Sequence, residues 1–112
     1  MSTSGDLDVR AETTPAGVVV VHVSGDLDLA TAPRLEEAFA GRPQGSRVVI
    51  DLAECTFLDS SGVRVLASAA GAVAESGGRL DLVVTDPGLI RVLAITSMDT
   101  LIDIHPSLEA AL

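Results

Sequence analysis

The chain has 112 residues, enough for one domain with a substantial core, and 47% of them are hydrophobic. Its seven basic residues, all arginine, face 16 acidic residues, for a net charge of −9. This charge repels phosphate backbones and anionic lipid heads, so we predict no nucleic-acid and no membrane partner and favour a protein partner with a basic face. The sequence has no tryptophan or tyrosine, and therefore lacks the usual platforms for stacking bases or binding quaternary ammonium groups.

Cysteine and histidine are scarce. Cys55 alone can form neither an intramolecular disulfide nor a zinc site, and we interpret it as a small buried apolar residue. His22 and His105 have no clustered cysteine or acidic neighbour in the sequence, so we interpret both as core or surface residues. We predict no metal, no cofactor and no small-molecule substrate. Without a signal peptide or an apolar run near the ~20 residues of a membrane span, the chain is predicted to be cytoplasmic.

Hydrophobic periodicity and turn residues predict nine elements after a polar, flexible segment at residues 1–6. In chain order they are strands at 7–13 and 17–24, a helix at 31–41, a strand at 47–52, a helix at 63–76, a strand at 80–85, a helix at 86–96, a strand at 100–104 and a helix at 106–112. Residues 25–28 are predicted to leave the second strand, and Thr31 to cap the first helix. The third strand is short and apolar enough to be central and covered on both faces.

The order β-β-α-β-α-β-α-β-α indicates one α/β domain over residues 1–112, without an internal repeat or a linker. Regular alternation after the opening hairpin predicts parallel neighbouring strands joined by right-handed crossovers. The hairpin adds an antiparallel pair. We therefore predict a mixed sheet of about five strands with about four helices.

The segment Asp59-Ser60-Ser61-Gly62 lies between the central strand and the helix at 63–76. At a helix N-terminus, Asp and Ser side chains accept hydrogen bonds from free backbone N–H groups, which is a sufficient structural role. Two adjacent hydroxyls are more than one cap requires, and a glycine there leaves the backbone open to another molecule. A phosphate on Ser60 would be accommodated by the helix dipole and the exposed amides.

Residues 51–63 (Asp-Leu-Ala-Glu-Cys-Thr-Phe-Leu-Asp-Ser-Ser-Gly-Val) resemble the signature of STAS domains, specifically of anti-sigma factor antagonists. Residues 25–28 (Gly-Asp-Leu-Asp), followed by Thr31, resemble the second family signature, an acidic loop near the phosphorylation site. The resemblance covers nearly the whole chain and implies a STAS-like fold, with Ser60 as the phosphorylated residue. In one departure, residues 96–98 (Thr-Ser-Met) stand where the family often has a Gly-Leu pair, which leaves the end of the third helix open.

This resemblance implies partner switching in the regulation of transcription, as in stress responses. The unphosphorylated protein binds an anti-sigma factor, a serine kinase of the histidine-kinase-like ATPase type, and thereby frees a sigma factor. Phosphorylation of Ser60 abolishes this binding, and a PP2C-type phosphatase restores it. The chain itself is then not an enzyme.

The residues predicted to contact the partner surround this serine: Asp26, Asp28, Thr31, Asp59, Ser60, Ser61 and Gly62. Ser61 is the rival phosphorylation site, but we interpret it as the structural cap because the resemblance assigns the modification to the first serine. Asp59 is a cap or loop-shaping residue, or it orients Ser60 or meets the metal site of the kinase. Asp28 and Thr31 are equally consistent with helix entry and with partner contact.

Two other classes of function fit parts of the sequence. A serine hydrolase would need a base near Ser60 or Ser61 and a strained Gly-x-Ser-x-Gly turn, and that motif is absent. A stand-alone STAS regulatory subunit of a transporter ATPase, or a scaffold in a sensory complex, would share the fold. The sequence alone does not exclude the transporter subunit or the sensory scaffold.

Overall fold

The computed structural model describes residues 7–112, so the flexibility predicted for residues 1–6 lies outside the described residues. The elements follow in the order β1 (Leu7–Thr13), β2 (Val19–Leu27), α1 (Ala32–Ala40), β3 (Arg47–Leu58), α2 (Ser60–Glu75), β4 (Arg79–Val83), α3 (Pro87–Ile95), β5 (Asp103–His105) and α4 (Leu108–Ala111). A short 3-10 turn, Met98–Thr100, precedes β5. The predicted element order is confirmed.

The five strands form one sheet in the order β1-β2-β3-β4-β5. β1 is antiparallel to β2, and the other neighbouring strands are parallel. This pattern follows from the connections, since a short turn joins β1 to β2 while helices return the chain between the parallel strands. The predicted mixed α/β fold is confirmed.

The main core lies between one face of the sheet and α1, α2 and α3. It is almost entirely aliphatic, and its fully buried residues include Val21, Ile50, Leu66, Leu82 and Leu93. A smaller cluster on the opposite face includes Val20, Val49, Val83 and Ala111, where α4 packs against the sheet. The predicted covering of the central strand on both faces is confirmed.

Strand ends depart most from the sequence prediction. β2 continues through residues 25–27, which were predicted to leave it, and β3 continues from Leu52 to Leu58. Asp26 pairs with Phe57 and Leu27 with Leu58, across two register irregularities in β2. These pairings are non-local contacts, so residue preferences within either strand do not reveal them.

The four helices form where the sequence predicts them. In α2, Val65, Ala69 and Val73 are buried, whereas Ala74 is exposed. In α4 the buried residue is Ala111, and Leu112 at the end of the helix is exposed.

The chain after α3 turns sharply. Ser97 adopts a left-handed conformation with φ of 61°, a geometry that glycine reaches at lower cost. The 3-10 turn follows, so β5 begins at Asp103 rather than at the predicted Thr100. In residues 7–112, no helix combines the length and apolarity required to span a membrane.

Candidate functional site

The two polar segments of interest meet at the carboxyl ends of β2 and β3. The backbone N–H of Asp59 donates to the carbonyl oxygen of Leu27 at 3.3 Å. Gly62 is buried against the Leu27 backbone and the Leu58 side chain, with no room for a side chain of its own. We predicted that Gly62 leaves the backbone open to another molecule. This prediction is wrong, because Leu27 and Leu58 fill the space beside Gly62.

Asp59 caps α2. Its Oδ1 accepts hydrogen bonds from the N–H groups of Ser61 at 2.9 Å and Gly62 at 3.0 Å. The interpretation of Ser61 as the cap is wrong, and the cap role of Asp59 is confirmed. The carboxylate of Asp59 already accepts hydrogen bonds from the amides of Ser61 and Gly62. A phosphate on Ser60 could bind these two amides only by displacing that carboxylate. The expectation that the exposed amides would accommodate the phosphate is therefore revised.

The acidic loop comprises the last residues of β2 and the turn into α1, residues 25–31, and it is organised around Thr31, whose exposed fraction is 1%. The Thr31 hydroxyl donates to the carbonyl oxygen of Asp26 at 2.7 Å and accepts from the N–H of Asp28 at 2.9 Å. Asp28 Oδ1 accepts from the N–H groups of Ala30 and Thr31 at 3.0 and 3.1 Å. The predicted side-chain cap by Thr31 is therefore wrong, and Asp28 binds the amides that lead into α1.

Asp26 is tied to the neighbouring strand. Its Oδ1 accepts from the hydroxyl of Thr56 at 3.1 Å, across the paired ends of β2 and β3. The carboxylates of Asp26, Asp28 and Asp59 thus come from two segments that lie more than thirty positions apart in the chain. We refer to these three residues together as the acidic rim.

Ser60 is exposed at the first position of α2, and its side chain makes no hydrogen bond within residues 7–112. Ser61, half-buried beside it, lines a groove of about 210 Å³ between α1 and α2. Leu29 and Arg64 line the same groove. The two serines therefore differ in accessibility, and Ser60 is the more open.

Two large apolar side chains are exposed near this serine. Leu29, 76% exposed, lines hollows that also include Asp59 and Ser61. Phe57, 49% exposed, pairs with Asp26 at the end of β3. Apolar groups ringed by charge on a protein surface are typical of places where another protein docks.

Cys55 lies beneath the site. It is buried, and its thiol donates to the carbonyl oxygen of Phe57 at 3.3 Å. Burial raises the pKa of the Cys55 thiol, which keeps it protonated and unreactive. Its interpretation as a small buried residue is confirmed.

The histidines have acidic partners that sequence reasoning missed. His22 lies between Glu12 Oε2, 2.6 Å from Nε2, and Asp51 Oδ2, 3.0 Å from Nδ1. His105 Nε2 is 3.0 Å from Asp81 Oδ1. Each partner comes from a neighbouring strand, so strand pairing was the only signal that could have found it. In the described part of the chain, no group of three histidine, cysteine or acidic residues is placed to hold a metal ion.

The chain is similar to known proteins over most of its length. A family model described as "Mlab, STAS domain" matches residues 11–103. The chain belongs to the STAS domain family. The anti-sigma-B factor antagonist of Bacillus subtilis (strain 168) is 32% identical over 92 residues, which cover 81% of this STAS domain chain and 84% of the relative.

Solved structures extend the likeness to the whole STAS domain. An anti-sigma factor antagonist from Mycobacterium paratuberculosis superposes with a TM-score of 0.85 and 32% identity, covering 99% of this chain and 95% of the other. The anti-sigma factor antagonist SpoIIAA in its unphosphorylated form shares the fold, with a TM-score of 0.74 and 19% identity over 93% of each chain. Within the STAS domains, the chain is therefore a member of the anti-sigma factor antagonist family.

Proposed function

We propose that this STAS domain is an anti-sigma factor antagonist controlled by phosphorylation of Ser60. In its unphosphorylated form it binds an anti-sigma factor that is a serine kinase of the histidine-kinase-like ATPase type, and this binding frees a sigma factor. Phosphorylation by the same partner ends the binding, and a PP2C-type phosphatase resets the protein. The chain is a substrate in this cycle rather than an enzyme, and it acts in the cytoplasm.

The observation that carries the proposal is the exposed Ser60 hydroxyl, which follows Asp59 of the acidic rim and lies at the same ends of β2 and β3 as two exposed apolar side chains. Leu29 and Phe57 supply apolar contact area for a protein partner, and the rim favours a partner with basic groups. A kinase must also reach the hydroxyl, which has no hydrogen bond to break within residues 7–112.

The negative charge of a phosphate on Ser60 would release the partner protein. A phosphoserine adds about −1.5 to −2 charges, and it would stand next to the carboxylate of Asp59. A partner surface that buries the neutral hydroxyl would then have to bury a dianion with no vacant amide of Ser61 or Gly62 to receive it. Burying a charge without a partner group costs several kcal/mol, enough to release a tightly bound protein.

The predicted contact residues divide by what they can do. Asp26, Asp28, Asp59 and Ser60 form the surface that we propose for partner contact, with Ser61 lining the adjacent groove. Thr31 and Gly62 are buried, so we propose that they act by holding the two segments in place.

The test uses the purified chain, the ATPase that co-purifies with it, and ATP. Intact mass should show one added phosphate on the native chain and on the control Ser61→Ala, but none on Ser60→Ala. Ser60→Asp should lose at least tenfold in affinity for the kinase, while its unfolding free energy stays within about 1 kcal/mol of the native value. A phosphate that persists in Ser60→Ala would contradict the assignment.

The same experiment distinguishes the proposed function from the two alternatives, a transporter subunit and a sensory scaffold. A transporter ATPase that binds the native chain and Ser60→Asp equally, and adds no phosphate, would instead make the chain a regulatory subunit. A sensory complex that binds without phosphorylating would make it a scaffold.

A further inference from the structure

β1 lies at the edge of the sheet and, among the described residues, pairs only with β2. It runs seven residues, Leu7–Thr13, without proline and without a register irregularity. Such an edge presents a row of free N–H and C=O groups and is a template for another strand.

The hydrogen-bond pattern shows which residues of β1 offer these groups. The N–H of Thr14 donates to the carbonyl oxygen of Val18, in line with the β1–β2 register. In an antiparallel ladder, alternate residues bond to the same neighbour. Asp8, Arg10 and Glu12 therefore bond to β2, whereas Val9, Ala11 and Thr13 direct their backbone groups outward.

We propose that β1 pairs antiparallel with β1 of a second copy of this chain, about a two-fold axis at Ala11. The backbone groups of Ala11 then bond to Ala11 of the second copy, and those of Val9 bond to Thr13. Arg10 stands opposite Glu12 twice, once on each side of the axis. Opposite charges at directly facing positions stabilise a strand pair.

The charged side chains also favour the register centred on Ala11 over the other possible registers of the two β1 strands. A shift of two residues in one direction places Arg10 opposite Arg10, and in the other direction Glu12 opposite Glu12, and both arrangements repel. A register centred on Val9 pairs Asp8 with Arg10 but gives Glu12 no partner of opposite charge within β1. Only the register at Ala11 gives both Arg10 and Glu12 an opposite charge.

Both charged side chains are accessible. Arg10 and Glu12 are 65% and 52% exposed, and within one chain their closest contact is a loose 3.9 Å. Glu12 Oε2 also lies 2.6 Å from His22 Nε2 on β2, and this contact is exposed to solvent. The pair across the axis can therefore form without breaking a buried contact.

The association should be weak and reversible. One pair of five-residue strand segments buries much less than the ~1,600 Å² of a standard interface. Each copy also carries −9, although salt screens charges that are farther apart than about 8 Å. Ala11 pairs with Val21, away from the carboxyl end of β2, so the acidic rim stays open in both copies.

The test is analytical ultracentrifugation of the full chain up to millimolar concentration. The native chain should form a dimer, and Arg10→Glu and Glu12→Arg should each weaken self-association at least tenfold. Mixed together, these two variants should form a heterodimer, because every facing pair is then of opposite charge. Arg91→Glu, the same charge change at an exposed residue of α3, is the matched control and should dimerise as the native chain does.

Ala11→Pro provides a second probe. The N–H of Ala11 points away from β2, so proline should remove the bond between copies while leaving the fold intact, as checked by circular dichroism. A native chain that stays monomeric at millimolar concentration would overturn the proposal. So would a mixture of Arg10→Glu and Glu12→Arg that forms no heterodimer.

Discussion

A Cβ atom at Gly62 would lie 2.5 Å from the carbonyl oxygen of Leu27. It would also lie 2.6 Å from Cδ1 of Leu58, so the start of α2 is pressed against the ends of two strands. This contact joins the acidic loop, through Leu27, to the segment that carries Ser60. The two sequence signatures of the site are therefore one structural unit.

Gly62→Ala should destabilise the protein because the new methyl group meets backbone that cannot move aside. We expect a loss of roughly 1 to 3 kcal/mol in unfolding free energy, measured by urea denaturation. The matched control is Gly71→Ala in the same helix, where a Cβ atom meets nothing within 4 Å. Alanine there should stabilise the protein by about 1 kcal/mol through its higher helix propensity. Equal effects of the two substitutions would contradict this account of Gly62.

Thr31→Val should also destabilise the protein, since valine keeps the shape but loses the hydroxyl. The Asp26 carbonyl and the Asp28 N–H would both lose a buried hydrogen bond, at about 1 to 3 kcal/mol. Urea denaturation measures the loss, and faster exchange of the Asp28 amide would locate it in the acidic loop. Thr31→Ser keeps the hydroxyl and should retain slow exchange at Asp28. Slow exchange in Thr31→Val would show that the hydroxyl does not hold the loop.

Cys55 should control stability at alkaline pH. Burial raises the pKa of its thiol above the ordinary value of 9.0, so the unfolded chain loses this proton at a lower pH than the folded chain. Stability is therefore unaffected below the pKa of the unfolded thiol and falls as pH rises above it. The sequence has no lysine or tyrosine, so apart from the terminal amine no other side chain titrates between about pH 8 and 11.

Urea denaturation across this range should show the effect. The unfolding free energy of the native chain should fall by up to about 1.4 kcal/mol per pH unit, the slope for one proton. Cys55→Ala should give a nearly flat profile in the same range. A parallel decline in both proteins would assign the pH dependence to another group.

The sequence by itself determined the order of the elements, the mixed sheet and the position of Ser60 at the start of a helix. These features follow from local signals: apolar periodicity, turn residues, and polar groups just before an apolar run. The residue that caps this helix was harder to predict. Asp59 and Ser61 are both good caps, and only backbone geometry showed that the carboxylate of Asp59 accepts the two N–H groups.

Only the tertiary structure decided what surrounds the serine. Leu27 fills the space at Gly62, Thr31 is buried within the acidic loop, and His22 lies between two carboxylates. Each of these results depends on the pairing of β2 with its neighbours, including the extension of β2 through Leu27. That pairing is a contact between distant parts of the chain, whose stability comes from packing across strands rather than from the residues of one strand.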